Sequence, residues 1–171
     1  DDAINSSGDL TISGGTVVAV GTNNDAIDAN GNLNIKGGTI VAMGASGAEA
    51  GLDADESHAL YISGGNILSI GGHLDVKLGS TTQGIVQTTG SITANSSVEV
   101  RNGNTVLATF DIPPYSSSNG TILISTKAMT SGNSYTIVTG SGTQTVTATN
   151  TINSGWGSGP GGGGPGGPVG W

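Results

Sequence analysis

A repeat of 23 residues constrains this chain more than any other feature of it. Asp25-Ala26-Ile27-Asp28-Ala29-Asn30-Gly31-Asn32-Leu33-Asn34-Ile35-Lys36-Gly37-Gly38-Thr39-Ile40-Val41-Ala42 restates Asp2-Ala3-Ile4-Asn5-Ser6-Ser7-Gly8-Asp9-Leu10-Thr11-Ile12-Ser13-Gly14-Gly15-Thr16-Val17-Val18-Ala19. A third copy runs from Leu52-Asp53-Ala54 through Leu60-Tyr61-Ile62-Ser63-Gly64-Gly65-Asn66-Ile67, with two extra residues in its turn. One column pairs an aliphatic residue with a polar one at Ile4-Asn5, Ile27-Asp28, Leu52-Asp53, Leu74-Asp75 and Val98-Glu99, in steps of 23, 25, 22 and 24. A second column, Thr16-Val17, Thr39-Ile40, Asn66-Ile67, Ser91-Ile92 and Thr121-Ile122, keeps step with it. A fixed period of this size means that each copy is one structural unit, stacked on its neighbours.

Each copy holds three short apolar runs, which in the second are residues 26–29, 33–35 and 39–43, separated by polar turns. No stripe at helical spacing is present. Three strands in a coil of about 23–25 residues describe an all-β parallel solenoid, a right-handed β-helix, its coils roughly 4.8 Å apart. Ile27, Leu33, Ile35, Ile40 and their equivalents are expected to point inward. The pairs Gly14-Gly15, Gly37-Gly38 and Gly64-Gly65 recur at one corner, where a positive φ is expected. The third run is apolar on both faces. Val18, Val41 and Leu68 should form an outward stripe beside Val20, Met43 and Ile70. Such a stripe is normally covered, here by the C-terminal segment or a neighbouring subunit.

Regular coils are expected over residues 1–95. Beyond them, 96–154 are expected to form irregular C-terminal β coils or a cap; Asn102-Gly103 is a hairpin signal, but Asn102-Gly103-Asn104 also repeats Asn30-Gly31-Asn32, which favours continued coils. Residues 155–171 are a tail with ten Gly and three Pro. Trp156 and Trp171, at either end of it, are the natural anchors of a docked arm, on a neighbouring subunit or on the stripe of Val18, Val41 and Leu68. Asp1 in place of an initiator Met reads as a processed chain or part of a longer one.

Charge narrows the partners. Twelve acids face four bases, for a net −8, and nine of the acids lie in residues 1–56, where Lys36 is the one base. Such a field repels nucleic acid and anionic lipid and attracts cations. No run approaches the 18 apolar residues of a membrane span. Without Cys there is neither a disulfide framework nor a thiolate metal site.

With Ile27 inward, Asp28 points outward, and stacking should set Asn5, Asp28, Asp53, Asp75 and Glu99 in one ladder. The turn acids Asp2, Asp25, Glu49 and Asp55 fall beside it. Calcium takes six to eight oxygen ligands from carboxylates, amides and carbonyls, and Asp2, Asp25, Asp28, Glu49, Asp53 and Asp55 are its candidate ligands. The bland alternative is a solvated acidic face that blocks edge-to-edge aggregation. His58 and His73 are isolated and read as surface residues. A lyase would need a base beside the metal. Lys36, Lys77 and Arg101 form no recurring pair with the acids, so no catalytic residue is assigned.

The motifs Asp-Ala-Ile-Asp-Ala-Asn-Gly at 25–31, Ile-Ser-Gly-Gly at 12–15 and 62–65, and Gly-Gly-Thr-Ile-Val at 37–41 resemble those of the calcium-binding β-helix carbohydrate-binding proteins of clostridia and related bacteria. These are secreted surface proteins, similar in fold to polysaccharide lyases. The resemblance is close over residues 1 to about 94; Ala26 stands where that family usually has Gly. It implies an extracellular, cell-surface protein that binds calcium and acidic plant-wall polysaccharide or cellulose, without catalysis. Tyr61 and Asp75 are the candidate glycan contacts. For this chain the open solenoid edge, the apolar stripe and the tail favour a different class, a calcium-binding, self-assembling surface fibre in which copies of the chain join, with the non-polymerising carbohydrate-binding module as the alternative.

Overall fold

The structure, a computed structural model, describes residues 1–74 and 76–153 and the backbone of Gly155–Trp156. Every element it describes is a strand. The first coil is β1 (Ile4–Ser6) and β2 (Leu10–Val20). The second is β3 (Ile27–Ala29) and β4 (Leu33–Met43). The third is β5 (Leu52–Ala54), β6 (Leu60–Ile62) and β7 (Asn66–Gly71). Ile4, Ile27 and Leu52 stand in parallel register, as do Leu10, Leu33 and Leu60, and Val17, Ile40 and Ile67. The repeat read from the sequence is therefore a solenoid of about three turns. β2 and β4 each run through the Gly-Gly corner as one bent strand, in which Gly15 and Gly38 have φ of 80° and 94°. Gly65 takes the same turn at 89° in the third coil. The left-handed region is open to glycine at no steric cost.

Ile27, Leu33, Ile35, Ile40, Leu52, Leu60 and Ile67 are wholly buried in the solenoid interior. Burying each is worth about 1.5–3 kcal/mol. Side chains appended to the backbone stitch coil to coil: Asp9 Oδ1 accepts the Asn32 N–H at 2.7 Å, and Asn32 Oδ1 accepts the Ala59 N–H at 3.2 Å.

After the third coil the path changes. β8 (His73–Leu74) and β9 (Leu78–Thr81) follow, and β9 still lies parallel to β6. β10 (Ile85–Ile92), however, pairs antiparallel with β13 (Ser117–Thr126), which itself lies antiparallel on β7. These two strands close the third wall. Gln83, buried, donates from Nε2 to Gly65 O at 3.0 Å and to Ser125 Oγ at 2.9 Å, and Ser125 Oγ donates to Gly84 O at 2.8 Å, so the closing turn has its polar groups satisfied.

The expectation of further irregular coils is corrected here. β11 (Ser97–Asn102), β12 (Thr105–Asp111), β14 (Ser134–Thr139) and β15 (Gly142–Thr147) form an antiparallel sheet in the order β12-β11-β14-β15. Asn102 pairs with Thr105, so Gly103-Asn104 is a two-residue hairpin loop, with Gly103 at φ 57°. The hairpin signal outweighed the likeness to Asn30-Gly31-Asn32.

This sheet answers the question of the stripe. Val41, Met43, Leu68 and Ile70 pack with Phe110, Val98, Val100, Tyr135 and Ile137 in a second core, between the outer face of the solenoid wall and the sheet. Gln144 ties the layers together, accepting from Thr88 Oγ1 at 2.6 Å and donating to Thr89 O at 3.0 Å. Val41 and Leu68 are thus buried by the chain's own sheet and are not a surface for a tail or a second subunit. Val18, one coil earlier, is 53% exposed. The described start of the tail, β16 (Gly155–Trp156), pairs antiparallel with β8, Trp156 opposite His73, and not with the stripe. Trp171 lies outside the described residues.

Candidate functional site: the acidic wall

The short strands β1, β3 and β5 form a three-stranded parallel sheet, in which Asn5, Asp28 and Asp53 are register partners. Their aliphatic neighbours Ile27 and Leu52 and the small Ala29 and Ala54 face the interior, so alternation forces the acids outward. Three rungs of the expected ladder are therefore built. Asp75 lies outside the described residues. Glu99 is a correction: it sits on β11 in the C-terminal sheet, opposite Thr109 and Val138. Arg101 donates to its Oε2 from Nε at 2.8 Å and from Nη2 at 2.5 Å. The 24-residue step to Val98 matched the period without continuing the coil.

The ladder manages its own charge. Asn5 Nδ2 donates to Asp2 Oδ2 at 2.9 Å and to Asp28 Oδ2 at 2.5 Å, an amide holding two carboxylates together. Asp25 Oδ1 accepts the Ala50 N–H at 2.5 Å. Burial pushes the Asp25 carboxyl above its ordinary range; Ala50 acts against this, and Glu49, Asp2 and Asp28 add to it. Asp28 is raised by burial and then by Asp2 and Asp55. Two unit charges 4 Å apart repel by about 1 kcal/mol in water and by about 4 kcal/mol at an effective dielectric of 20. Asp55 is different: the Ser57 N–H and hydroxyl, at 3.0 and 2.8 Å, hold it below the usual carboxylate range, and His58 Nδ1 lies 3.5 Å away.

Asp28, Asp53 and Asp55, with Asn30 and Glu56, line an open pocket of about 220 Å³. Asn30 and Glu56 were not singled out in the sequence. Their signals were available: Asn30 lies two residues beyond Asp28 on the same outward side, and Glu56 lies in the turn lengthened by two residues. Asp2, Asp25 and Glu49 do not line this pocket; Asp2 and Glu49 lie close enough to Asp25 to raise it, and Asp2 Oδ1 is buried without a hydrogen-bond partner. Among the described residues no three carboxylates or imidazoles are grouped so as to hold a metal ion by themselves. The donors are hard oxygens of the kind calcium takes, and the arrangement fits a cation shared with a ligand better than one enclosed by protein.

Tyr61 occupies another wall. It stands on β6, 38% exposed, in register with Asn34 and Ser80. Its ring lies over Gly79, where a Cβ would strike it.

Fold and site define an acidic β-solenoid of about three turns, capped by an antiparallel sheet. The chain belongs to the family described as carbohydrate-binding domain-containing protein, whose model matches residues 1–163. Carbohydrate-binding character follows from that membership. No curated protein and no solved structure matches the chain. No helix among the described residues is long and apolar enough to cross a membrane.

Proposed function

We propose that this chain is a non-catalytic module that holds an acidic polysaccharide, such as polygalacturonate, through calcium ions shared between its acidic wall and the carboxylates of the glycan. The observation that carries the reading is the stacking of Asp28 on Asp53 at one strand spacing, with Asp55 and Glu56 on the same pocket. An anionic polymer meets only repulsion there unless a cation lies between. No more than two protein carboxylates per ion imply weak affinity, in the range of about 10⁻⁴–10⁻³ M typical of extracellular modules. That suits the bacterial cell surface, where we place the protein. Lys36 is on β4 and Arg101 is engaged by Glu99, which supports binding without a catalytic base.

Pull-down on polygalacturonate tests the reading. Retention is expected in millimolar calcium and is expected to vanish in EDTA and in an Asp28→Asn/Asp53→Asn double variant. Retention indifferent to EDTA would rule out the bridge; retention on cellulose alone would leave neutral glycan binding, with Tyr61 as its first suspect. Calcium at a hundredfold excess over Kd should stabilise by about 2.7 kcal/mol, a rise in Tm of roughly 5–10 °C for a chain of this size.

Self-assembly into a surface fibre is the second reading, favoured by one observation: β1 and β2 are edge strands whose outer sides pair with nothing among the described residues. At its other end the third wall continues in the antiparallel strands β13 and β10, so copies joining through the edge of β1 and β2 meet edge to edge. Sedimentation velocity over a range of concentrations distinguishes monomer, pair and polymer; a monomer throughout ends this reading.

A further inference from the structure

We infer that the C-terminal sheet carries a second carbohydrate site, independent of calcium: a subsite on the outer face of β11 and β14, in which the Glu99–Arg101 pair holds two adjacent ring hydroxyls of an uncharged sugar, as a β-linked xylan presents them. The site lies on a different sheet from the acidic wall and does not rest on the calcium reading.

Alternation on β11 makes the site. Val98 and Val100 point into the second core, so Glu99 and Arg101, two residues apart, stand together on the opposite face. Their register neighbours are uncharged: Thr109 and Val138 beside Glu99, Val106 and Thr136 beside Arg101. β11 is an inner strand, paired with β12 on one side and β14 on the other, so its backbone is held from both sides. With Ser96, Ser97, Val138 and Gly140, the pair lines an open concavity of about 350 Å³. That falls within the range of roughly 300–1,000 Å³ for small-ligand pockets.

What the pair leaves open decides the ligand. Arg101 donates from both Nε and Nη2 to a single oxygen, Glu99 Oε2. A guanidinium has five N–H groups and a carboxylate two oxygens. The remaining N–H groups of Arg101, and Glu99 Oε1, therefore take no hydrogen bond among the described residues. The Glu99 side chain is 26% exposed and that of Arg101 40%, so a ligand in the concavity reaches both. Such a ligand must accept from Arg101 and donate to Glu99 at once. Adjacent hydroxyls on a ring do so, because each is donor and acceptor. A carboxylate cannot donate to Oε1, and an ammonium cannot accept from Arg101. The two charges cancel in the pocket while the whole chain stands at −8, so an anion gains nothing here. Stability does not account for the pair, since an ion pair this exposed adds little and threonine serves at the neighbouring positions 109 and 136. Membership of a carbohydrate-binding family makes the hydroxyls those of a sugar.

The probe is xylohexaose, titrated into the full chain in EDTA while amide NMR shifts are followed. Shifts are expected at Ser97, Glu99, Arg101, Val138 and Gly140, and not at Asp28 or Asp53. Affinity should fall at least about tenfold in a Glu99→Thr/Arg101→Thr variant, through loss of hydrogen bonds to charged groups, with Tm within about 4 °C of the parent. An Asp28→Asn/Asp53→Asn variant should bind as the parent does. Xylohexaose with its ring hydroxyls methylated should not bind. If the double-threonine variant does not fold, the shift map of the parent and the methylated probe decide the matter. The inference is overturned by a parent that does not bind in EDTA, by shifts that spare β11 and β14, or by a double-threonine variant that binds undiminished. Binding lost on Tyr61→Ala and kept in the double-threonine variant places the sugar on β6 and overturns it too. Oligogalacturonate that binds in EDTA as tightly as xylohexaose, through the same pair, would make this an anion site and end the uncharged class. Calcium-dependent retention on polygalacturonate is read through Asp28 and Asp53, so the two readings fail independently.

Discussion

Asp25 shows how one residue serves structure and charge at once. Its carboxylate closes the bond to the Ala50 N–H, while burial and the neighbouring acids raise its pKa above 3.8. The folded state therefore binds the proton more tightly than the unfolded state does. Asp25 favours folding fully below pH 3.8, and that contribution is lost as pH rises through the folded pKa. Asp28, raised for related reasons, acts in the same direction. Asp25→Asn keeps an oxygen for Ala50 and removes the charge. Its Tm in EDTA should exceed that of the parent at pH 7, and the gain should fade as pH is lowered towards 3.8. A variant less stable at pH 7 would show that the ionised carboxylate has a favourable partner. Asp25→Ala removes the acceptor as well and should cost about 1–3 kcal/mol by denaturant titration. Asp55, held low by Ser57, has the opposite sign: its contribution is present above 3.8 and is lost as pH falls through its folded pKa.

At the scale of elements, β4 and β7 each face two cores. Ile40 and Ile67 belong to the solenoid interior, and Val41 and Leu68 to the layer beneath the C-terminal sheet. Apolar residues on both faces were legible in the sequence and required a cover. The identity of the cover was not legible. Thr- and Val-rich runs such as 105–110 and 143–147 suit a coil and a hairpin equally, because both expose one face in every two residues. The sheet rests on Phe110, the one Phe of the chain, wholly buried against this wall. Phe110→Ala should cost about 3–5 kcal/mol, measured by urea unfolding. Val18→Ala, one coil outside the covered stripe, should change stability by less than about 0.5 kcal/mol. Equal costs would mean that the second core is not what the sheet contributes.

At the scale of the whole molecule, the layers make the chain interdependent. The solenoid buries its interior coil by coil, but its third wall is sealed only from outside. A chain ending at residue 95 would lose β13 from the edge of β7 and the sheet from Val41, Met43, Leu68 and Ile70. Exposed apolar patches and free strand edges of this kind aggregate. Such a truncation should be insoluble or bind a hydrophobic dye strongly. If it stays soluble and silent to the dye, the sheet is an accessory and not part of the fold's core. The acidic wall lies on a different face, on β1, β3 and β5, so loss of solubility through the second core and loss of glycan retention through Asp28 and Asp53 are separable.

The sequence by itself determined the coil: its period, its inward residues, its glycine corner and the alignment of Asn5, Asp28 and Asp53. Each of these depends on contacts repeated at a constant offset, and a constant offset is visible in one dimension. Tertiary structure alone decided that Glu99 leaves the ladder, that residues 97–147 include an antiparallel cap, and that Asp28, Asn30, Asp53, Asp55 and Glu56 share one pocket. These depend on which strand meets which after the period ends, and strand pairing at long range is set by closing two cores at once, a condition no local run of residues records.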